Sequence, residues 1–213
     1  MILTLEPRQM KITSIKNNIK ELIMKAVIFD LDGTIADTIE DLASACNEVL
    51  RTAGLQENPV EYYIPLIGGG RTKLLQDVAP KYAEEHLDEM MECFNKYYSV
   101  HYMDKTKRYD GMLEVIEKVR TKGYKTAVLS NKPQEMTRPI ILELYPGLFD
   151  CVYGGEKNIP VKPDPKAAER VLNDLDVEAE ETVVVGDSGV DIRTAQNIGA
   201  KCIAVTWGYR SRD

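Results

Sequence analysis

The sequence predicts an α/β fold in which a doubly wound, Rossmann-like parallel sheet carries an inserted α-helical cap domain. Short runs rich in Val and Ile recur along the chain after Met24. These runs are apolar on both faces, which is typical of the buried strands of a parallel sheet. The predicted strands are 25–29, 125–129, 151–153, 182–186 and 202–205.

Helical patterns lie between the later strands and complete the alternation of a doubly wound sheet. They cover 111–123, 133–147, 164–175 and 188–200. Alternating strands and helices form a parallel sheet with helices on both faces. Such sheets bind ligands outside the carboxyl ends of their strands, so we expect the functional residues at that edge.

Residues 39–106 break this alternation, because they contain helical patterns but no convincing strand. The helical patterns cover 39–54, 70–80 and 83–102. A crossover between parallel strands needs only about a dozen residues. The excess indicates an inserted helical domain over the strand ends, where it could act as a lid. We therefore predict an N-terminal extension (1–23), an α/β core (24–38 and 107–213) and a helical cap (39–106).

Composition excludes several classes of protein. The chain has 213 residues, of which 44% are apolar, so it can bury a core. Its 27 basic and 34 acidic residues give a net charge of −7, which argues against binding to a nucleic-acid backbone. No apolar run approaches the roughly 20 residues of a membrane helix. We therefore expect no nucleic-acid or membrane partner.

Cysteine usage and the two chain ends complete the general description. The four cysteines lie far apart without a CxxC pair, which argues against a zinc site or a disulfide framework and fits a reducing cytoplasm. Residues 1–23 could form a short amphipathic helix through Ile12, Ile15, Ile19 and Leu22, or an extension without a catalytic role, with Met24 as an alternative start.

Two carboxylates follow the first predicted strand. Asp30 directly follows the apolar run, and Asp32 lies two residues further on, before Gly33. Burying an unpaired charge is costly, so this placement requires a compensating partner. The ordinary alternative is that an Asp-Gly pair forms the turn after the strand.

Other predicted strands also end in polar residues. Ser130 and Asn131 follow the second strand, and their hydroxyl and backbone N–H groups could hold a phosphoryl oxygen. Asp187 follows the strand that ends at Gly186, and Asp191 lies at a helix entrance. Ser188 and Asp191 could equally be helix caps.

Lys162 lies in a loop between Pro160, Pro163 and Pro165, where the prolines would stiffen the chain around a single cation. A solvated lysine in a proline-rich connection is the alternative. Because the carboxyl ends of parallel strands share one edge of the sheet, we expect these carboxylates, hydroxyl and lysine to converge there.

This set of motifs resembles the haloacid dehalogenase superfamily of phosphotransferases. The resemblance extends from Lys25 to Arg210 and rests on DxDGT at 30–34, Ser130, Lys162 and GDxxxD at 186–191. The segments "DLDGTIADT", "SNK", "VKPDP", "GDSGVDIRTAQNIGA" and "TWGY" are most similar to the phosphoglycolate phosphatase group. The resemblance implies a Mg²⁺-dependent phosphatase that forms an aspartyl-phosphate intermediate, with a small phosphorylated metabolite as substrate.

The resemblance also implies roles for individual residues. Asp30 would be the nucleophile and Asp32 the general acid and base. Mg²⁺ would be held by Asp30, the backbone carbonyl of Asp32 and Asp187. Ser130 and Lys162 would bind phosphoryl oxygens.

Supporting roles follow for three further residues. Asn131 would contribute to the phosphoryl site, and Thr34 would support the turn and that site. Asp191 would orient either the metal ligands or Lys162.

Other activities stay open. Asp32 favours phosphoryl transfer over dehalogenation, because a halide leaves without a proton. A β-phosphoglucomutase-like phosphotransferase, a pyrophosphatase or a nucleotide phosphatase would share the core motifs. A receiver-like phospho-aspartate switch would also use an aspartate, a hydroxyl and a lysine, but Asp32 and the helical insert count against it.

The cap would select the substrate. Arg71, which follows Gly68–Gly70, could present a small anion-binding site at a helix N-terminus, or it could be a solvated arginine beside a hinge. We expect a monomer or a homodimer. Relatives continue past the final "WGYRSR" segment, so we also expect an uncovered edge of the sheet here.

Overall fold

The computed structural model describes residues 2–5 and 24–210. The amphipathic pattern between Ile12 and Leu22 lies outside the described residues. The strands are β1 (Ile2–Leu5), β2 (Ala26–Phe29), β3 (Ala36–Asp37), β4 (Lys107–Arg108), β5 (Lys125–Pro133), β6 (Cys151–Gly155), β7 (Thr182–Gly186) and β8 (Lys201–Val205). The helices are α1 (Ile39–Thr52), α2 (Val60–Tyr63), α3 (Arg71–Val78), α4 (Pro80–His101), α5 (Met112–Thr121), α6 (Gln134–Leu144), α7 (Pro165–Leu175) and α8 (Gly189–Ile198), with short 3₁₀ turns at Ile64–Leu66 and Ala179–Glu181.

The main sheet is parallel and has the strand order β1-β8-β7-β2-β5-β6. β2 lies in the middle, because Phe29 is level with Val128 of β5 and Val185 of β7. The predicted α/β fold is confirmed, and each predicted strand after Met24 is present. β5 is longer than predicted, since it continues past Leu129 to Pro133 with an irregular register.

Helices cover both faces of the sheet. Successive side chains of a strand point to opposite faces, so neighbouring residues of β2 show what covers each face. Phe29 packs in a cluster with Ile116 of α5 and Ile140 of α6. Ile28, the preceding residue, packs in a different cluster with Val171 of α7. The sheet is therefore buried on both sides, and its carboxyl edge is left for polar residues.

α7 shows how the sequence defines these covering helices. The Asp164 carboxylate accepts a hydrogen bond of 2.9 Å from the Lys166 N–H, and Pro165 occupies the first turn. An aspartate cap followed by proline is a strong helix start. Ala168, Val171 and Leu175 then recur at helical spacing and are buried against the sheet.

The segment between β3 and β4 forms a helical insert with its own apolar core. Val49 of α1, Leu75 of α3 and Phe94 of α4 are buried together in that core. β3 and β4 pair antiparallel where the chain leaves and re-enters the α/β unit. The helical character of the insert is thus confirmed, whereas the division of the chain at 38/39 and 106/107 stays a prediction.

Asp41 fastens the two ends of the insert to each other. Its carboxylate, on α1, accepts hydrogen bonds from the backbone N–H of Lys105 at 3.0 Å and of Thr106 at 2.8 Å, and from the Thr106 hydroxyl at 2.8 Å. Hydrogen bonds from several N–H groups offset the free-energy cost of burying a carboxylate. The start of α1 is therefore fixed against the returning chain.

The expectation of an uncovered edge next to β8 is wrong. β1 lies parallel to β8, with Ile2 level with Cys202 and Leu5 level with Val205. The backbone of Ile2–Leu5 therefore occupies the side of β8 that faces away from β7. The helical spacing at 12–22 gave no indication that an earlier segment pairs with the sheet. Within the part of the chain that the structure describes, no helix has the length and apolar character needed to cross a membrane.

Candidate active site

Asp30 lies where β2 ends, at the carboxyl edge of the sheet. Its backbone N–H donates to the carbonyl of Val185 at 2.9 Å, so the neighbouring strand fixes its position. Its Oδ1 accepts a hydrogen bond of 2.7 Å from the Leu31 N–H and lies 2.8 Å from Lys162 Nζ. The strand thus delivers this carboxylate to a lysine from a distant loop.

Lys162 joins two carboxylates. Its Nζ lies 2.8 Å from Asp30 Oδ1 and 2.6 Å from Asp191 Oδ1, and its side chain is 3% exposed. Burial alone would lower the pKa of this lysine, but the two adjacent carboxylates more than offset burial and raise the pKa above its usual value. Lys162 is therefore a buried cation, and the solvated alternative does not hold.

Asp30, Asp187 and Asp191 form a buried acidic cluster, in which one carboxylate oxygen of each lies within 4.8 Å of the others. Asp187 Oδ2 accepts a hydrogen bond of 2.6 Å from the Tyr209 N–H. Burial raises the pKa of Asp187 to about 6. Burial and the charge of Asp191 also raise the pKa of Asp30 well above its usual value.

This cluster fits a divalent cation. Three carboxylates lie close together, and Lys162 is the ammonium group that touches two of them. The raised pKa values of Asp30 and Asp187 show that the protein groups around them do not fully compensate for burial of the negative charges. Carboxylate oxygens are the ligands that Mg²⁺ prefers, and a bound cation would favour their ionised forms.

Asp191 combines two of the expected roles. It lies in the first turn of α8, where its Oδ2 accepts a hydrogen bond of 3.2 Å from the Ser188 backbone N–H as part of a capping box. The same oxygen accepts a hydrogen bond of 2.7 Å from the Ser188 hydroxyl. Its Oδ1 binds Lys162 at 2.6 Å. Gly186 allows the Asp191 carboxyl group to lie close to the end of β7, because a Cβ at position 186 would collide with that group.

Asp32 does not belong to the acidic cluster and forms an ion pair with Lys132. Its Oδ1 accepts a hydrogen bond of 2.6 Å from the Thr38 hydroxyl and lies 3.0 Å from Lys132 Nζ. Gly33, which follows, has a φ of 81°, a conformation that glycine adopts without strain. The turn therefore directs Asp30 and Asp32 to two different lysines.

Ser130 and Asn131 lie within β5 at the same edge. The Ser130 hydroxyl oxygen accepts a hydrogen bond of 3.2 Å from the Lys132 N–H. The Asn131 amide donates at 2.9 Å to the carbonyl of Gly68 in the insert and at 2.9 Å to that of Lys162. The Asn131 side chain thus fastens the insert to the core, and its role at a phosphoryl site stays a prediction.

Thr34 is fully buried beneath the turn. Its carbonyl accepts a hydrogen bond of 3.0 Å from Trp207 Nε1, while its hydroxyl has no hydrogen-bond partner in the described part of the chain. Support of the turn agrees with this placement. Thr34 does not line the pocket that Asp30 and Asp32 share.

The insert closes a pocket over the carboxyl edge. Ile67, Gly70, Leu74 and Tyr98 of the insert line this pocket, which also contains Asp30, Asp32, Ser130, Asn131, Lys162 and Asp187 from the core. The predicted convergence of the core motifs at one site is therefore present. Mostly apolar walls above a charged floor would exclude water from chemistry at Asp30.

Arg71 also lines the pocket, at the first residue of α3. Its Nη1 contacts the side chain of Asn95 and lies 3.5 Å from Glu135 Oε1, and its buried Nε has no partner among the described residues. The arginine is therefore partly engaged within the protein. Its predicted contact with a substrate anion stays a prediction.

Lys132, Tyr209 and Tyr98 are among the residues of this pocket that sequence reasoning missed. Lys132 directly follows Ser130 and Asn131 in "SNK", so its position after a predicted strand was an available signal. Tyr209 lies in the "TWGY" segment, and its hydroxyl accepts a hydrogen bond of 2.8 Å from the Thr38 N–H. Tyr98 carries no comparable signal, because α4 and its neighbours contain several tyrosines at helical spacing.

Comparisons with known proteins agree with this architecture. The haloacid dehalogenase-like hydrolase family matches residues 27–205. A phosphoglycolate phosphatase from Aquifex aeolicus is 36% identical over 188 residues, which cover 87% of this chain and 86% of the relative. The pyrophosphatase PpaX of Bacillus mycoides is 30% identical over 190 residues, which cover 89% of this chain and 86% of that protein.

Solved structures show the same fold. A candidate phosphoglycolate phosphatase from Lactobacillus delbrueckii subsp. bulgaricus has a TM-score of 0.83 and 34% identity over 88% of each chain. A predicted phosphoglycolate phosphatase from Haemophilus somnus has a TM-score of 0.84 and 25% identity over 91% of this chain and 90% of the other. From the matched motifs, the sequence identity and the shared fold together, the chain belongs to the haloacid dehalogenase-like hydrolase family.

Proposed function

We propose that this protein is a Mg²⁺-dependent phosphatase that hydrolyses a small phosphate monoester, similar to phosphoglycolate, through an aspartyl-phosphate intermediate on Asp30. One observation carries the proposal. Two carboxylates two residues apart, Asp30 and Asp32, face the same pocket but are bound to different buried lysines. Neighbouring carboxylates in different surroundings can take different roles in acid–base and nucleophilic chemistry.

Asp30, Asp187 and the backbone carbonyl of Asp32 would hold the metal ion. The chemistry that Mg²⁺ supplies is neutralisation of the charge on the carboxylates and the phosphoryl oxygens, which allows an anionic nucleophile to approach an anionic ester. Asp191 keeps Lys162 in place, since its Oδ1 lies 2.6 Å from the Nζ of that lysine. The acidic cluster thereby serves both the metal ion and the lysine.

In the first step, a carboxylate oxygen of Asp30 attacks phosphorus. A new O–P bond forms, and the bond from phosphorus to the ester oxygen breaks. Asp32 gives its proton to the departing alkoxide, so an alcohol leaves. Lys162 and the Ser130 hydroxyl bind phosphoryl oxygens during this transfer.

In the second step, Asp32 acts as a base. It accepts a proton from a water molecule, whose oxygen attacks the phosphorus of the intermediate. The bond between phosphorus and the Asp30 oxygen breaks, inorganic phosphate leaves, and Asp32 is protonated again for the next cycle. Splitting one displacement into two is the general advantage of covalent catalysis.

A pyrophosphatase is the second candidate. The relative PpaX, which is 30% identical to this chain, is named as a pyrophosphatase. Its substrate would place a second phosphate where a phosphate monoester carries an organic group. Arg71, which lines the pocket on the insert side, supplies a cation that could bind either a second phosphate or a carboxylate.

A substrate panel tests the proposal with the full chain. Phosphate release is measured with Mg²⁺ on phosphoglycolate, hexose phosphates, nucleotides and pyrophosphate, with and without EDTA. We expect sustained turnover that EDTA abolishes and that is fastest on phosphoglycolate. Preference for pyrophosphate would support the second candidate. A single stoichiometric phosphorylation without turnover would overturn both and support a phospho-aspartate switch.

A further inference from the structure

Lys132 is a buried lysine that the proposed mechanism leaves without a role. Its side chain is 3% exposed, and it lies at the carboxyl edge two residues after Ser130. Burying an ammonium group is costly, so a lysine retained at this depth needs specific partners. These partners are Asp32 and Tyr98.

Two groups hold Asp32 by a single oxygen. Lys132 Nζ lies 3.0 Å from Asp32 Oδ1, and the Thr38 hydroxyl donates to the same Oδ1 at 2.6 Å. Among residues 24–210, no group donates a hydrogen bond to Oδ2 of Asp32. Two donors on one oxygen fix the orientation of the carboxyl plane and leave the other oxygen for a proton and a reacting group.

The insert contributes the other partner of Lys132. The Nζ of Lys132 lies 4.9 Å from the centre of the Tyr98 ring, which is buried on α4. A cation over an aromatic face is attracted by the negative charge density of the ring, and more strongly so where water is excluded. The position of Lys132, and through it that of Asp32, thus depends on the insert.

We propose that Lys132 is a positioning residue that, together with Thr38, holds Asp32 so that its second oxygen exchanges the proton with the leaving group and with water, and that Tyr98 couples this arrangement to closure of the insert. The inference rests on the proposed function. Lys132 acts through Asp32 and does not bind the transferred phosphoryl group. Lys162 and Ser130 bind that group.

The dependence on the leaving group tests this role. An alkyl ester such as phosphoglycolate needs a proton from Asp32, whereas p-nitrophenyl phosphate releases a stable phenolate without one. We expect Lys132→Met to reduce kcat/KM on phosphoglycolate by about 10- to 100-fold, as a misplaced catalytic group does, and kcat/KM on p-nitrophenyl phosphate by much less. The ratio kcat/KM reports formation of the intermediate and not its hydrolysis, which needs Asp32 for both esters. Lys118→Met, which changes an exposed lysine of α5, is the matched control and should leave both rates unchanged.

A double-mutant cycle with Asp32→Asn shows whether Lys132 acts through Asp32. If it does, Lys132→Met should add little to the loss already caused by Asp32→Asn, because residues of one network are not additive. Multiplied losses of kcat/KM in the double variant, or equal losses of kcat/KM on both esters in Lys132→Met, would overturn the inference and indicate that Lys132 binds the substrate itself.

Folding is checked on the same variants by circular dichroism and thermal unfolding. If Lys132→Met does not fold, Lys132→Gln takes its place, because the amide keeps a donor for Asp32 Oδ1 and removes the charge. We expect Lys132→Gln to retain more activity on phosphoglycolate than any folded variant of Lys132 whose side chain cannot donate a hydrogen bond to Asp32. An inactive wild type across all esters would defeat the proposed function, whereas an active wild type with additive losses would defeat only the role of Lys132.

Discussion

Lys162 and Lys132 are both buried at the carboxyl edge of the sheet, but different parts of the molecule hold them. Two carboxylates of the α/β core, Asp30 and Asp191, bind Lys162. Lys132 binds one core carboxylate, Asp32, and lies over a ring that the insert supplies. The first lysine is therefore held by carboxylates of the core alone, whereas one of the two contacts of the second comes from the insert.

This difference assigns different duties to the two halves of the pocket. The half around Lys162 contains the acidic cluster and the proposed nucleophile, Asp30, so under the proposed function it would accept a phosphoryl group without a contact from the insert. The half around Lys132 contains the proposed acid and base, Asp32, and Tyr98 places a ring of the insert beside that lysine. Proton transfer would then be most effective once the pocket is closed around a substrate.

The largest expected effect belongs to Asp30→Asn. The variant removes the nucleophile of the Lys162 half, so turnover should fall by about 10⁴-fold or more. The fold should persist, because asparagine has a similar size and Lys162 keeps its contact with Asp191. Phosphate release under Mg²⁺ and a thermal melt check both points, and ordinary turnover by this variant would remove the central claim.

Asp32→Asn addresses the other half of the pocket and should fail differently. With p-nitrophenyl phosphate, whose leaving group needs no proton, Asp30 can still attack phosphorus, but no base activates water, so the intermediate should accumulate. We expect a loss of about 10²- to 10⁴-fold in steady-state turnover. Intact mass spectrometry should detect a phosphorylated chain for this variant but not for Asp30→Asn. An unphosphorylated Asp32→Asn variant during slow turnover would contradict the assignment of base to Asp32.

The residues around Lys162 were accessible to sequence reasoning, and those around Lys132 largely were not. Asp30, Ser130 and Asp187 directly follow apolar strand patterns, and parallel strands bring such positions to one edge. Asp191 lies at the helix entrance that follows one of these strands. Lys162 could be added because the prolines around it identify a loop near the same edge. The local sequence pattern was therefore sufficient to predict the half of the pocket around Lys162.

The partnership of Lys132 and Tyr98 depends on how the insert packs against the core. Tyr98 is one of several tyrosines in the insert, and helical spacing does not tell which ring covers a lysine on another element. The same limit applies to β1, because pairing of Ile2–Leu5 with β8 joins segments at opposite ends of the chain. Contacts between distant segments are decided by packing, and no single stretch of sequence encodes them.

Stability gives a third test of the comparison. Lys162→Met leaves Asp30 and Asp191 buried without their shared cation, so we expect the free energy of unfolding to fall by about 3–5 kcal/mol. Lys132→Met should cost less, about 1–3 kcal/mol, because the Asp32 side chain is 13% exposed and keeps the Thr38 hydrogen bond. Urea unfolding of both variants, with Lys118→Met as the control, measures the difference. Equal losses of unfolding free energy in Lys162→Met and Lys132→Met would show that the two lysines contribute equally to stability.

The smallest expected effect isolates the contribution of the insert. Tyr98→Leu removes the ring beside Lys132 and should lower kcat/KM on phosphoglycolate by a few-fold, because a buried cation–π contact contributes about 1–2 kcal/mol. Tyr98→Phe keeps the ring and removes only a buried hydroxyl that has no partner in the described chain, so it should stay close to the wild type. If Lys132 couples the insert to Asp32, the loss in Tyr98→Leu should nearly vanish on p-nitrophenyl phosphate and in an Asp32→Asn background. A loss that is the same on both esters would instead assign Tyr98 to substrate binding, and the insert would then act on the substrate and not on the acid.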